Sequence, residues 1–261
     1  MDKVLGDVFN SVLGIKDTLE LSISEIKNLV SEGQDAYRKD IEFLIFATRR
    51  APLSSANRFQ DLWALFEQGE KRNGYFVEFG ASDGAAGSNT LLLEKFYGWQ
   101  GAIAEPARSR HESLRADRGC YITDKFIYKS DGLKMLFNDV DTSPDSAADV
   151  GAPANVRRSG KRYEVETLSL SSFLQEAGAP HTIDYMSINV EDDTLDILTD
   201  FDFSAYDIKL LSIAGADAGQ RDAIQALLAR KGYEATFKTF STAEDWYVKG
   251  GAVAVSPSVA A

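Results

Sequence analysis

Gly74-Tyr-Phe-Val-Glu-Phe-Gly-Ala-Ser-Asp-Gly84 decides how this chain folds. Tyr75, Phe76, Val77 and Phe79 are bulky and β-prone, so the run suits a strand covered on both faces. Glu78 places a carboxylate inside that run, which is costly unless something pairs with it. Gly80 and Gly84 let the backbone turn sharply and approach a ligand closely. Leu91, Leu92, Leu93, Phe96 and Tyr97 then mark an amphipathic helix. A strand, a glycine turn and a helix in this order cradle nucleotide-type ligands.

Downstream, Gly101-Ala-Ile-Ala-Glu-Pro106 reads as a second short strand ending in an acid. Glu105 lies 21 positions beyond Gly84. An acid at about that distance sits at the tip of the neighbouring strand and binds ribose hydroxyls. A helix over 108–117 and a third strand over 120–128 follow, with Asp124 at the edge of the site. Residues 139–160 lack periodicity and read as a long loop. Arg157, Arg158, Lys161 and Arg162 form the densest basic cluster at its end, either a solvated hinge or a contact for an anionic substrate. A strand tip and helix over 164–177 come next, then a fourth strand, Ile183–Val190, and a helix with Leu195, Ile197 and Leu198. A fifth strand over 208–213, a helix over 219–232 and a closing antiparallel pair over 234–240 and 245–255 complete the run. Strands alternating with helices indicate an α/β fold with a mostly parallel sheet over 73–255, and a loose tail over 256–261.

Upstream, residues 1–72 read as an N-terminal helical extension. Leu5, Val12, Leu19 and Ile26 repeat every seven residues, and Val8, Ile15, Ser22 and Leu29 form the companion row. This stripe over 1–31 suits self-association, a homo-oligomer held by paired helices. Two further helices are expected over 33–50 and 56–70, broken at Pro52, Ser54 and Ser55.

The 261 residues are 44% hydrophobic, enough for one sizeable core plus an appendage. A formal net charge of −12 argues against nucleic acid, which needs clustered Lys and Arg. The single cysteine, Cys120, leaves no intrachain disulfide and reads as a small core residue in a reducing compartment. The charged start does not resemble a signal peptide, and no window is apolar enough to span a membrane, so the expected location is cytoplasmic.

Glycine spacing separates two nucleotide-type ligands. A dinucleotide fold wants G-x-G-x-x-G, whereas here the glycines are Gly80, Gly84 and Gly87. An acid two places before the first glycine suits a cationic, amine-bearing ligand better than a pyrophosphate. S-adenosylmethionine carries an amine, a sulfonium and a ribose. Glu78 and the Gly80-Ala-Ser82-Asp83-Gly84 backbone would lie near its amino-acid part, and Glu105 would bind its ribose.

Several stretches together resemble the FkbM-type methyltransferases. They are Glu78–Gly84, Ser88-Asn-Thr90, Leu93-Glu-Lys95, Gly98–Gly101, Glu105-Pro106, Ile183–Ile188, Gly232-Tyr233 and Asp245–Val248. The resemblance covers roughly 73–249. It implies a seven-stranded, Rossmann-like class I methyltransferase sheet and S-adenosylmethionine as cofactor. It also implies methylation of a hydroxyl on a sugar, a nucleotide-linked sugar or a small metabolite. By the same resemblance Asn89 lies near the cofactor; Pro106, and Asp124 from its place at the site edge, complete the cofactor-binding candidates. The chain departs from the family at two strand ends. The usual Asp-x-Glu-Gly-x-Glu is Asn189-Val-Glu-Asp-Asp-Thr194, and the usual Glu-His is Ala214-Gly215. Glu191 is then the candidate base for the acceptor hydroxyl, beside Asn189. Asp192 and Asp193 are either oxygen ligands for Mg²⁺ or Ca²⁺, or, as favoured here, acids opening the next helix. His181 is expected at the opposite edge of the sheet and His111 on a solvated helix. Two other readings remain: a cofactor-binding member without catalysis and with an assembly role, and an NAD-type oxidoreductase, which the glycine spacing disfavours.

Overall fold

Tyr75–Phe79 forms β1, and four of its five residues are buried. The computed structural model describes residues 38–81, 83–139, 160–190, 193–214, 218–238 and 244–250. The heptad segment 1–31, Arg157 and Arg158 of the long loop, the tail over 256–261, and Ser82, Glu191, Asp192 and Gly215 lie outside these residues. Backbone contacts divide the chain between Ser54 and Ser55. In the first unit, α1 (Arg38–Arg50) buries Phe43, Phe46 and Ala47, spaced along one helical face.

In the second unit the elements alternate as the sequence suggests. They are α2 (Gln60–Glu67), β1, α3 (Leu91–Tyr97), β2 (Gln100–Ala104), α4 (His111–Asp117), β3 (Tyr121–Thr123), β4 (Phe126–Tyr128), β5 (Lys134–Asp139) and β6 (Lys161–Ser169). Then come α5 (Leu170–Glu176), β7 (Thr182–Ile188), α6 (Thr194–Asp200), β8 (Asp207–Ala214), α7 (Ala218–Arg230), β9 (Tyr233–Thr236) and β10 (Glu244–Lys249). Seven strands form one sheet in the order β3-β2-β1-β7-β8-β10-β9. The first five run parallel, and β10 is antiparallel to both β8 and β9. The closing antiparallel pair is present, with the later strand, β10, inserted between β8 and the edge strand β9.

Both faces of this sheet are covered, which is why its strands read as continuous apolar runs. Val77, Phe79, Met186, Ile188, Leu211 and Ile213 pack with Phe173 and Leu174 of α5, Leu198 of α6 and Leu228 of α7. On the other face, Trp63 of α2 stacks on Trp246 of β10 at 5.0 Å and meets Tyr185 of β7 edge-on at 6.0 Å. A polar row crosses that second face in register, Glu78 beside Ser187, Ser187 beside Ser212, and Ser212 beside Trp246.

The structure corrects two expectations and adds a strand. The third strand is not one element over 120–128. Thr123 ends β3 in the main sheet, and after the polar pair Asp124-Lys125 the chain turns into β4 of a separate sheet, ordered β4-β6-β5. The expected strand tip at 164 is the end of a nine-residue strand, β6. Its partner β5 has no counterpart in the sequence reading. The signal for β6 was present: Arg162, Glu164 and Glu166 alternate with Tyr163, Val165 and Thr167, the period-two pattern of a half-buried strand.

Candidate functional site

A cleft of about 670 Å³ opens at the carboxyl ends of β1, β2 and β7. That volume lies within the usual range for small-molecule sites, and carboxyl ends are where such sheets bind ligands. Glu78, Gly80, Asn89, Glu105, Pro106 and Asn189 all line it. Asp83, Gly84 and Asp124 are not among the lining residues. Asp83 instead caps the turn, accepting from the N–H groups of Ala85 and Ala86 at 2.9 Å each. Asp124 is half exposed and lies 3.9 Å from Arg108.

The glycine turn has the shape its sequence asks for. Gly80 has φ +79°, and a Cβ there would overlap the Asn189 carbonyl oxygen. The ends of β1 and β7 therefore touch through a position that only glycine fits. Asn189 N–H donates to the Phe79 carbonyl at 3.0 Å, and its side-chain Nδ2 lies 3.4 Å from the Gly80 carbonyl.

Glu78 has its partners within the protein. Its carboxylate accepts from the Thr90 hydroxyl at 2.5 Å, the Asn89 N–H at 3.1 Å and the Ser88 hydroxyl at 3.4 Å. The fully buried guanidinium of Arg118 lies 3.7 Å away. Arg118 also donates to Glu94 Oε2 at 2.5 Å, to the Gly84 carbonyl and Ser88 Oγ at 3.1 Å each, and to Thr90 Oγ1 at 2.7 Å. One buried cation thus fastens the glycine turn, its following segment and α3 together. Sequence reasoning missed Arg118 because it stands 40 positions beyond Glu78, just after α4.

Asn89 is about nine-tenths buried. Its Nδ2 donates to Ser187 Oγ at 2.9 Å, which fixes the amide plane. Its Oδ1 is buried in the wall of the cleft and has no hydrogen-bond partner among the described residues. An acceptor left so is normally satisfied by a ligand or water. On the β2 side, Glu105 is buried and accepts the Ala107 N–H at 2.9 Å. His111, expected on a solvated face, is buried instead, with Nε2 2.5 Å from the Glu105 carbonyl oxygen. His181 stands just before β7, at the opposite edge, with Nδ1 2.9 Å from the Ala205 carbonyl oxygen.

The small sheet walls the β2 side with Phe126, Ile127 and Phe137. It is fastened through Tyr163, whose hydroxyl accepts the Arg108 N–H at 2.7 Å and lies 2.8 Å from Asp139 Oδ2 and 3.0 Å from the Pro106 carbonyl oxygen. On the β7 side, Asp193 lines the cleft and stands directly before α6. No group of three or more His, Cys, Asp or Glu that could hold a metal occurs among the described residues. Cys120 lies away from the cleft, and burial pushes its thiol up to about 12, so it is a poor nucleophile. No helix among the described residues is long and apolar enough to cross a membrane.

A seven-stranded, mostly parallel sheet with a glycine-turn cleft at its carboxyl edge defines a Rossmann-like fold of the methyltransferase class. The chain belongs to the FkbM methyltransferase family: the model described as the methyltransferase FkbM domain matches residues 78–235. Members of this class generally take their methyl group from S-adenosylmethionine. Solved structures similar to the chain include a fibrillarin/Nop5p complex, at 9% identity and TM-score 0.34, covering 67% of this chain and 71% of that one. The CurJ carbon methyltransferase is another, at 9% identity and TM-score 0.36, covering 87% of this chain and 70% of that one. No curated protein matches the chain.

Proposed function

We propose that this protein is an S-adenosylmethionine-dependent O-methyltransferase acting on a hydroxyl of a sugar, a nucleotide-linked sugar or a small metabolite. The observation that carries the cofactor half is the buried, unpartnered Oδ1 of Asn89, a residue in the wall of a cleft that Glu105 also lines. The two fit the two ends of the donor. Asn89 Oδ1 accepts from the amine of the amino-acid part, held in place by the Glu78 carboxylate that accepts the Asn89 N–H. Glu105 accepts from the ribose hydroxyls, while Phe126, Ile127 and Phe137 give the cleft an apolar wall. S-adenosylmethionine supplies an electrophilic methyl group on sulfur.

The rest falls to the chain's own side chains, which hold both reactants and take a proton from the acceptor. Glu191, next to the cleft-lining Val190, is the proposed proton acceptor. The carbohydrate and O-methyl parts of the proposal rest on the family resemblance. A second reading, a member that binds the cofactor without catalysis, is favoured by Asn189. An amide tied to the Gly80 carbonyl has no proton-accepting capacity where the family carries an acid.

Calorimetric titration with S-adenosylmethionine tests the cofactor half, and the absence of binding heat would remove it. Glu105→Ala should raise the dissociation constant about 10- to 100-fold, the effect of losing hydrogen bonds to a charged group. An unchanged constant would show that the ribose lies elsewhere. Incubation with methyl-labelled cofactor and a panel of sugar nucleotides, free sugars and small hydroxylated metabolites separates the two readings. Binding without label transfer across the whole panel supports the second.

A further inference from the structure

We propose that Asn57 reads the acceptor, and that a short strap, residues 55–60, holds it in place for that purpose. The strap lies before the segment that matches the family, 78–235. At one end it is clipped to the glycine loop. Ser55 Oγ donates to the Ser88 carbonyl at 2.9 Å, and Ala56 forms a parallel bridge with Gly87. The N–H groups of Ser55 and Ala56 both donate to Asp61 Oδ2, at 3.0 and 3.4 Å. At the other end it is pinned to the far side of the sheet. Gln60 Oε1 accepts the Arg58 N–H at 2.9 Å, and Gln60 Nε2 donates to Glu244 Oε2 at 2.8 Å. Glu244 opens β10 directly opposite Ala214, the end of β8. It is buried, and Trp246 Nε1 holds its other oxygen at 2.5 Å. Phe59 stands in the left-handed region at φ 62°, a conformation costly for a bulky side chain that the pins on both sides impose.

Of the strap residues, Asn57 is the one that lines the cleft. It is exposed, and its amide makes no hydrogen bond among the described residues. It packs against Gly87, where an added Cβ would come within 2.6 Å of Asn57 Nδ2. Its backbone neighbours are fixed while its donor and acceptor remain available, which is the preorganisation a recognition group needs.

The side of the cleft follows from strand order. Glu105, the proposed ribose group, follows β2 on one side of the glycine turn. The strap runs from that turn towards β8 and β10, on the other side. With the donor assigned to the stretch between the turn and β2, the β7 side of the cleft, lined by Asn189, Val190 and Asp193, is left for a second reactant. A neutral amide there, donor and acceptor at once, matches a hydroxyl-bearing acceptor.

This assignment rests on the sugar-acceptor reading above. The test compares wild type with Asn57→Ala and Asn57→Leu. Each is titrated with S-adenosylmethionine. Each is then titrated, in the presence of S-adenosylhomocysteine, with UDP-glucose, GDP-mannose, dTDP-rhamnose and the free hexoses, alongside methyl transfer to the same compounds. Asn57→Ala should weaken the acceptor that wild type uses about 10-fold, in dissociation constant or KM, while cofactor affinity stays within about 2-fold. Asn57→Leu should weaken it further by filling the space. Loss of cofactor affinity with the sugar unaffected would place Asn57 on the donor and overturn the assignment. No change in either would overturn it too. Wild type that binds the cofactor but none of the sugars would overturn the sugar reading itself, and the assignment with it.

Discussion

Arg118→Ala is expected to lower the unfolding free energy by about 3–5 kcal/mol, the usual cost of removing one partner from a buried ion pair. The size follows from what Arg118 leaves behind. Glu78 loses the cation 3.7 Å from its Oε2 and stays buried in the sheet. Glu94, the Gly84 carbonyl, Ser88 and Thr90 each lose a donor. Phe76 loses the guanidinium that lies 5.3 Å over its ring. In a unit of this size, the melting temperature should fall by on the order of 10 °C. Urea unfolding checks it, and a loss under about 1 kcal/mol would show that the cluster is dispensable. Arg118→Met combined with Glu78→Gln should recover part of the loss. The second change removes the uncompensated charge, keeps one oxygen for the Asn89 N–H, and turns the other position into an NH2 that can donate to the Thr90 hydroxyl oxygen.

Gly80→Ala is expected to abolish cofactor binding with the rest of the sheet intact. The left-handed backbone at φ +79° costs an alanine about 1–2 kcal/mol. The added Cβ also overlaps the Asn189 carbonyl oxygen, so the ends of β1 and β7 must separate. That movement shifts the turn, Asn189 and the cleft floor at once. An increase of about 100-fold or more in the dissociation constant for S-adenosylmethionine should follow, from strain and displacement together. Circular dichroism should keep its αβ signature. Affinity within about 3-fold of wild type would mean that bound donor does not rest on this turn.

Much of the parallel sheet was legible because its strands are buried on both faces and read as apolar runs between helical stretches. The small sheet was not. Its strand β4 is only three residues long, and β5 has Lys134 and the exposed Leu136 on the face where alternation would demand polar residues throughout. The break at Asp124-Lys125 also has no strong turn signal, so β3 and β4 merged into one reading. Of the residues lining the cleft, Glu78, Gly80, Glu105, Pro106 and Asn189 were legible because they stand on or just beyond the ends of three strands, and Asn89 came from the family resemblance. Asn57, Phe126, Phe137 and Arg118 were not, because their places depend on how distant segments are laid over those ends.

Glu78 shows where the line falls. The sequence alone determined that a carboxylate is buried in a central strand before a glycine turn, and that this charge must have a partner. It could not say which, since a buried charge is neutralised by whatever cation the fold brings within a few ångströms. Tertiary structure decided for Arg118, arriving from α4, and so turned Glu78 from a waiting ligand group into the anchor of the loop that presents Asn89. The same holds for the strap. Its residues carry no motif, and only the pins to Ser88, Gly87 and Glu244 bring Asn57 to the cleft.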